Sequence, residues 1–217
     1  NTTSGFSIVS WTGTGANATI GHGLGSVPKM ILLKCTTQGD KWIVYHNSIG
    51  NTKYLTLNGN DSETTSSVHW NDTSPTSSVF STGNSGNVSG VGETFIAYCF
   101  ADVQGYCKTG SYTGNGSTDG TFVYTGFKPA FVMGKVTNTT GDWYLWDNKR
   151  LGYNRDNNKI KPNTSDAETT EDWFEMYSNG FKFYNNSGDF NYGGYNFIYM
   201  AFAEAPLVGS NNIPCTA

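Results

Sequence analysis

The residues able to do acid–base chemistry in this chain are few and scattered. The carboxylates best placed for a role are Glu63, Glu168, Asp142, Asp147, Glu171 and Glu175. A glycosidase needs two carboxyl groups about 5 to 10 Å apart in a cleft, and no motif here sets two acids in that relation. Solvated charge on loops and strand faces accounts for them, and the two Glu-Thr-Thr sequences (63–65 and 168–170) read as side-chain caps on turns. His22, His46 and His69 all fall in the first half of the chain. No serine occupies a Gly-x-Ser-x-Gly elbow, so a catalytic triad has no support. Gly21-His-Gly-Leu-Gly25 has the glycines of a phosphate loop but no helix follows it. Four cysteines (35, 99, 107 and 215) lack CxxC spacing, so zinc is not expected and free, packed thiols are. Asn154-Arg-Asp-Asn-Asn158 is rich in oxygen donors but lacks the glycine and terminal glutamate of a calcium loop. No metal and no cofactor is expected.

Aromatic side chains are the better lead, at 15% of the chain. Trp42 and Trp143, Trp11 and Tyr112, and Trp70 and Trp173 recur in both halves and read as core. Those peculiar to the second half could meet a ligand: Trp146, Tyr153, Tyr184, Tyr192 and Tyr195. Together with Asn185, Asn186 and Asp189 they form the expected binding set. Planar rings among amides and carboxylates suit sugar faces and hydroxyls. The plainer reading is a turn whose tyrosines cover a sheet edge.

The elements that must position these residues follow from a duplication. Pro28 and Pro129, Trp42 and Trp143, and Phe95 and Phe197 are each spaced about one hundred residues apart. Gly92-Glu-Thr-Phe-Ile-Ala-Tyr-Cys-Phe-Ala101 has a near copy in Gly194-Tyr-Asn-Phe-Ile-Tyr-Met-Ala-Phe-Ala203. Both alternate with apolar residues on each face, as an interior strand of a sandwich does. The chain is therefore expected to be all-β, with two pseudo-symmetric antiparallel β-sandwich or jelly-roll repeats fused into one body. Repeat one spans 1–103, repeat two 104–206, and a C-terminal tail without strand alternation spans 207–217. Strands are predicted at 6–11, 18–20, 30–36, 42–46, 54–57, 67–70, 78–81 and 94–101, with the same order in repeat two. Asn179-Gly180 is predicted to supply two positive φ values to a type I′ turn in the hairpin 173–184. The polar stretch 149–170 could hold a short helix.

Composition agrees. Charged residues make up 14%, against roughly 25% in an average soluble domain, and glycine and small polar residues suit many tight turns. The net charge of −4 and the lack of a basic run argue against nucleic acid or an anionic membrane as partner. No apolar run is long enough for a transmembrane helix. The start at Asn1 suggests a processed product or a piece of a longer polypeptide.

Several segments resemble a domain that recurs in tailed-phage virion proteins, usually labelled tail fibre or structural protein. They are Gly21-His-Gly-Leu-Gly-Ser-Val-Pro-Lys29, Trp42-Ile-Val-Tyr-His46, Phe95-Ile-Ala-Tyr-Cys-Phe-Ala101, Gly110-Ser-Tyr-Thr-Gly-Asn-Gly116, Gly126-Phe-Lys-Pro-Ala-Phe-Val132, Ser178-Asn-Gly-Phe-Lys182 and Phe197-Ile-Tyr-Met-Ala-Phe-Ala-Glu204. The order of a proline-led strand and a closing aromatic strand is also similar, more loosely, to H-type lectins and related fibre tips. The resemblance implies a non-enzymatic protein on the exterior of the phage particle. Its implied partners are other virion proteins and a host-surface glycan or receptor, and its implied assembly is a homotrimer. A capsid or tail decoration protein is the alternative, and a polysaccharide depolymerase a lesser one. The family carries no assigned catalytic residues.

Overall fold

A computed structural model describes residues 1–39, 41–150, 154, 157–204, 207–208 and 214–215. The chain divides into two compact units, Asn1–Asp102 and Val103–Ala217, each an antiparallel β-sandwich.

In the first unit the strands are β1 (Phe6–Thr12), β2 (Ala18–Gly21), β3 (Met30–Cys35), β4 (Trp42–His46), β5 (Lys53–Thr56), β6 (Thr64–Thr65), β7 (Val79–Thr82) and β8 (Thr94–Phe100). Two single-turn helices, α1 (Ser67–Trp70) and α2 (Gly86–Ser89), interrupt them. One sheet runs β1-β8-β3-β4-β5-β6, and β2 pairs with β7 in a second layer. Alternation decides what goes inside. Phe95, Ala97 and Cys99 of β8 are fully buried against Ile31, Leu33, Phe80 and Trp70. Ile96, Tyr98 and Phe100 lie on the opposite face, half-buried. Each large side chain so buried stabilises the unit by about 1.5–3 kcal/mol.

The second unit has β9 (Cys107–Thr113), β10 (Phe122–Tyr124), β11 (Pro129–Val136), β12 (Trp143–Asp147), β13 (Asn157–Ile160), β14 (Thr169–Glu171), β15 (Phe174–Tyr177), β16 (Gly180–Phe183) and β17 (Asn196–Ala203). Its large sheet runs β9-β17-β11-β12-β13-β14, the order of the first unit strand for strand. Side-chain and backbone contacts repeat as well. Trp11 stacks on Phe95 at 5.5 Å, and Tyr112 on Phe197 at 4.9 Å. Gly13 donates to the Glu93 carbonyl at 2.8 Å, and Gly114 to that of Tyr195 at 2.9 Å. A Cβ on Gly13 would stand 2.2 Å from the Gly90 oxygen, and one on Gly114 2.3 Å from that of Tyr192. Both positions need glycine for that close approach.

The units differ in their smaller layer. The second has three strands, β10-β16-β15, where the first has two strands and α1. The strand expected at Ser67–Trp70 is thus a helical turn. His69 and Trp70 are both buried, which adjacent residues of a strand with one solvent face cannot achieve. Asn71 and Asp72 follow in the left-handed region, at φ 52° and 44°, and end the turn. The Gly83 amide bonds to the His69 carbonyl as the Tyr184 amide does to that of Trp173, both at 2.7 Å. His69 is therefore the counterpart of Trp173, and Trp70 that of buried Phe174, which corrects the pairing of Trp70 with Trp173.

Three further expectations change. In the hairpin, Tyr177 pairs with Gly180, so Ser178 and Asn179 form the turn. Neither Asn179 nor Gly180 has positive φ. The stretch expected to hide a helix carries β13 and β14, with no helix among its described residues. In the tail, β18 (Leu207–Val208) pairs with β19 (Pro214–Cys215). Cys35, Cys99 and Cys107 are buried, and burial pushes the Cys99 thiol up to about 12.

Candidate functional site

Period-2 alternation splits the three-stranded layer of the second unit cleanly. Val123, Phe181, Phe183, Phe174 and Met176 point into the core. Phe122 and Tyr124 of β10 point out and are 44% and 57% exposed. Beside them lie Lys182 of β16 and Glu175 and Tyr177 of β15, with Tyr184 just past β16. Register sets two rows across the strands. Phe122, Lys182 and Glu175 form one, and Tyr124, Gly180 and Tyr177 the other.

Polar groups on this face are held in place. The Lys182 ammonium bonds the Asp119 carboxylate and lies 5.2 Å from the Tyr184 ring centroid. The bond to Asp119 holds the lysine above its usual range, so it is charged at neutral pH. The Tyr177 hydroxyl donates to Glu175 Oε2 at 2.5 Å and is bonded to the Tyr184 hydroxyl. These bonds, the one to Glu175 first, raise the Tyr177 phenol. Lys108 lies 5.4 Å from the Tyr124 centroid. The edge strand β15 is closed by Asn154, whose side chain bonds the Met176 carbonyl at 3.1 Å and the Met176 amide at 2.9 Å. That pairing shields an edge that would otherwise be open to another strand.

Equivalent positions in the first unit carry no aromatic or charged side chain. Pairing aligns Phe80 with Phe181 and Ile20 with Val123. Thr19 and Gly21 then stand where Phe122 and Tyr124 do. Ser81 and Gly83 likewise stand at the positions of Lys182 and Tyr184. The fold does not require aromatic residues there, so the second unit's face is an addition to the scaffold.

The expected binding set divides. Tyr184 belongs to the face. Trp146 does not: it is 3% exposed and stacks on Phe174 at 4.7 Å, because β12 turns it into the aromatic core. Asn185 is also buried. Its carbonyl accepts from Asn191 at 2.9 Å and its side-chain oxygen from the Ser187 amide at 3.3 Å, so it shapes a turn instead of meeting a ligand. Asn186 is exposed, and half-buried Asp189 is tied to Ser187. Tyr192 and Tyr195 pack on each other at 4.7 Å on the turn leading into β17. Tyr153 lies outside the described residues. Phe122, Tyr124, Tyr177 and Lys182 were missed, and Glu175 was weighed only as a catalytic acid. The signal for them was the alternation in Phe-Val-Tyr and Phe-Glu-Met-Tyr, which puts these residues on the face opposite Val123, Phe174 and Met176.

Other candidates for chemistry are engaged structurally. Glu63 bonds Lys53 at 2.5 Å, and its counterpart Glu168 bonds Asn158 at 2.5 Å and also Arg150. Asp142 pairs with Lys161 at 2.9 Å and Asp147 with Arg150 at 2.8 Å. His22 accepts from the Leu24 amide and His46 from that of Ser48, each at 3.2 Å. Among the described residues no three His, Cys, Asp or Glu side chains cluster as a metal site would require, and no helix is long and apolar enough to cross a membrane.

No curated protein and no solved structure matches the chain. Residues 1–206 match one family, which takes in both sandwiches and the aromatic face, and the chain belongs to it: Domain of unknown function (DUF7483).

Proposed function

We propose that the chain is a non-enzymatic domain on the exterior of a phage particle, of tail-fibre type, whose second unit binds a host-surface glycan. The observation that carries the site is the exposed aromatic face of β10-β16-β15, built where the first unit has Thr19, Gly21, Ser81 and Gly83. Exposed rings flanked by fixed donors and acceptors match the alternating apolar faces and hydroxyls of a sugar. The assignment to a virion rests on the sequence segments that resemble tail-fibre domains, and the same resemblance supplies a homotrimer and contacts with other virion proteins. Binding is favoured over cleavage, because Glu175 is engaged by Tyr177 and Asp119 by Lys182.

A glycan array probed with the full chain tests the reading. The expected result is selective glycan binding that Phe122→Ala with Tyr124→Ala abolishes while the far-ultraviolet spectrum is unchanged. Association with virion components alone, and with no glycan, would replace it by the decoration-protein alternative. Release of new reducing ends from host polysaccharide would replace it by a depolymerase.

A further inference from the structure

The charges on the aromatic face occur in opposite-sign pairs, and this bears on the ligand that the glycan reading, on which this inference rests, leaves open. Lys182 stands in the middle of its row, opposite Phe122 on one side and Glu175 on the other. Its ammonium is bonded to Asp119, a carboxylate whose side chain is 82% exposed. Glu175 carries the second negative charge and Lys108, beside Tyr124, the second positive one. A charged ligand group of either sign would meet attracting and repelling groups in equal number, with Lys182 and Asp119 already neutralising each other, so it would gain no net attraction to offset its lost hydration. A sugar hydroxyl both donates and accepts, so it can use the ammonium, the carboxylates and the tyrosine hydroxyls together.

We propose that this face takes an uncharged oligosaccharide lying across the strands from Tyr124 to Tyr177. Strands are spaced about 4.8 Å apart, so the backbone positions of these two residues stand on the order of 10 Å apart across β16, a span of about two sugar rings. Gly180 lies between them, and the gap above it is filled by the ring of Phe122, which meets Tyr177 edge-on at 5.9 Å. The Phe122 and Tyr177 rings thus form one surface, with Tyr124 in the same row as Tyr177. A charged group placed against it would lose its water with no net counter-charge to replace it, and this disfavours acidic glycans by desolvation and not by shape.

The experiment compares matched pairs on one array, probed with the full chain. Galactose, glucose and mannose oligomers are set against their uronate and sulfated counterparts. Neutral members of at least one series are expected to bind, with the anionic counterpart at least about ten-fold weaker. Glu175→Gln, which keeps an acceptor for Tyr177, is expected to narrow that gap, and Tyr124→Ala to lower neutral binding about ten-fold. Anionic members binding as well as the neutral ones would overturn this inference and leave the glycan reading standing, provided that Tyr124→Ala still lowers binding about ten-fold. Binding of no arrayed glycan, or binding indifferent to both Phe122→Ala and Tyr124→Ala, would overturn both. A fall in assembly mass by light scattering on Tyr124→Ala would make a second copy of the chain the occupant and overturn both as well.

Discussion

The ring of Phe122 stands over Gly180, where a side chain on β16 would otherwise project. A Cβ on Gly180 would lie 2.8 Å from Phe122 Cζ and 2.2 Å from the carbonyl oxygen of Val123. The ring takes the space that the glycine leaves and the backbone of β10 closes beneath it. Gly180→Ala must push β10 outward, at a cost of about 1–3 kcal/mol. It also lifts Phe122 away from Tyr177. Denaturant unfolding should show the loss of stability, and glycan titration should show weaker binding even where the variant is fully folded. A variant as stable as the parent would mean that β10 is not seated on Gly180.

Lys159 is 5% exposed, and its ammonium lies 4.9 Å from the ring centroids of Tyr144, Trp173 and Phe190. Register makes Tyr54 its counterpart, and Tyr54 stacks at 3.9 Å on His69, the counterpart of Trp173. One duplicate thus uses a ring-on-ring contact where the other uses a cation among rings. Lys159→Met keeps most of the volume and removes the charge, so it should destabilise the second unit by about 2 kcal/mol. Lys159→Arg should retain most of that stability. Equal stability of the Met variant and the parent in urea would assign Lys159 to packing alone.

The sandwich and its duplication were legible because they rest on local pattern. Trp42 and Trp143, and Phe95 and Phe197, occupy equivalent register positions in the two sheets, and Pro28 and Pro129 precede the tryptophans by matching intervals. What sequence could not show was set by contacts distant along the chain. Asn179-Gly180 has the composition of a type I′ turn, yet Gly180 is a glycine because β10, more than fifty residues earlier, crosses it. Ser67–Trp70 has β-forming residues, yet the core needs His69 and Trp70 side by side. For the site, composition singled out Tyr184 but not Tyr124 or Tyr177. Trp146 was drawn in by its aromatic type although its strand faces the core, and Phe122 and Tyr124 were passed over because a three-residue strand gives little alternation to read.

Asn191 is fully buried and holds the loop that leads into β10. Its side-chain nitrogen donates to Asn115 Oδ1 at 2.8 Å and to the Ser117 and Asn185 carbonyls at 2.9 Å. Its oxygen accepts from the Asn115 and Thr121 amides at 3.2 and 3.4 Å. Ser89 fills this position in the first unit, and its hydroxyl donates to the Ala16 carbonyl at 3.0 Å. Asn191→Leu strands both sets of partners and should cost at least about 3 kcal/mol. Asn191→Asp keeps the acceptor and loses the donors, turning a negative charge toward three oxygens, and should cost at least as much. Hydrogen exchange at Thr121 and Phe122 should rise first. Unchanged protection there would show that the loop is held by other contacts.

His69 makes the first unit sensitive to acid. Its ring is 5% exposed, Nδ1 is bonded to the Ser66 hydroxyl at 2.7 Å, and Nε2 is buried without a partner. Burial, with a smaller contribution from Lys41, lowers its pKa to about 4. An unfolded histidine titrates near 6.5, so between about pH 6.5 and 4 the unfolded chain binds the extra proton and the folded one does not. Stability is complete above that window and falls as pH drops through it, by up to about 3 kcal/mol. Since α1 packs on β7, the loss should register as faster hydrogen exchange of the β7 amides at pH 4 than at pH 7, corrected for intrinsic rates. His69→Phe keeps the stack on Tyr54 and removes both the titration and the orphaned nitrogen, so its β7 protection should be nearly flat across the same range. Parallel pH profiles for the parent and His69→Phe would place the acid sensitivity on the carboxylates and not on His69.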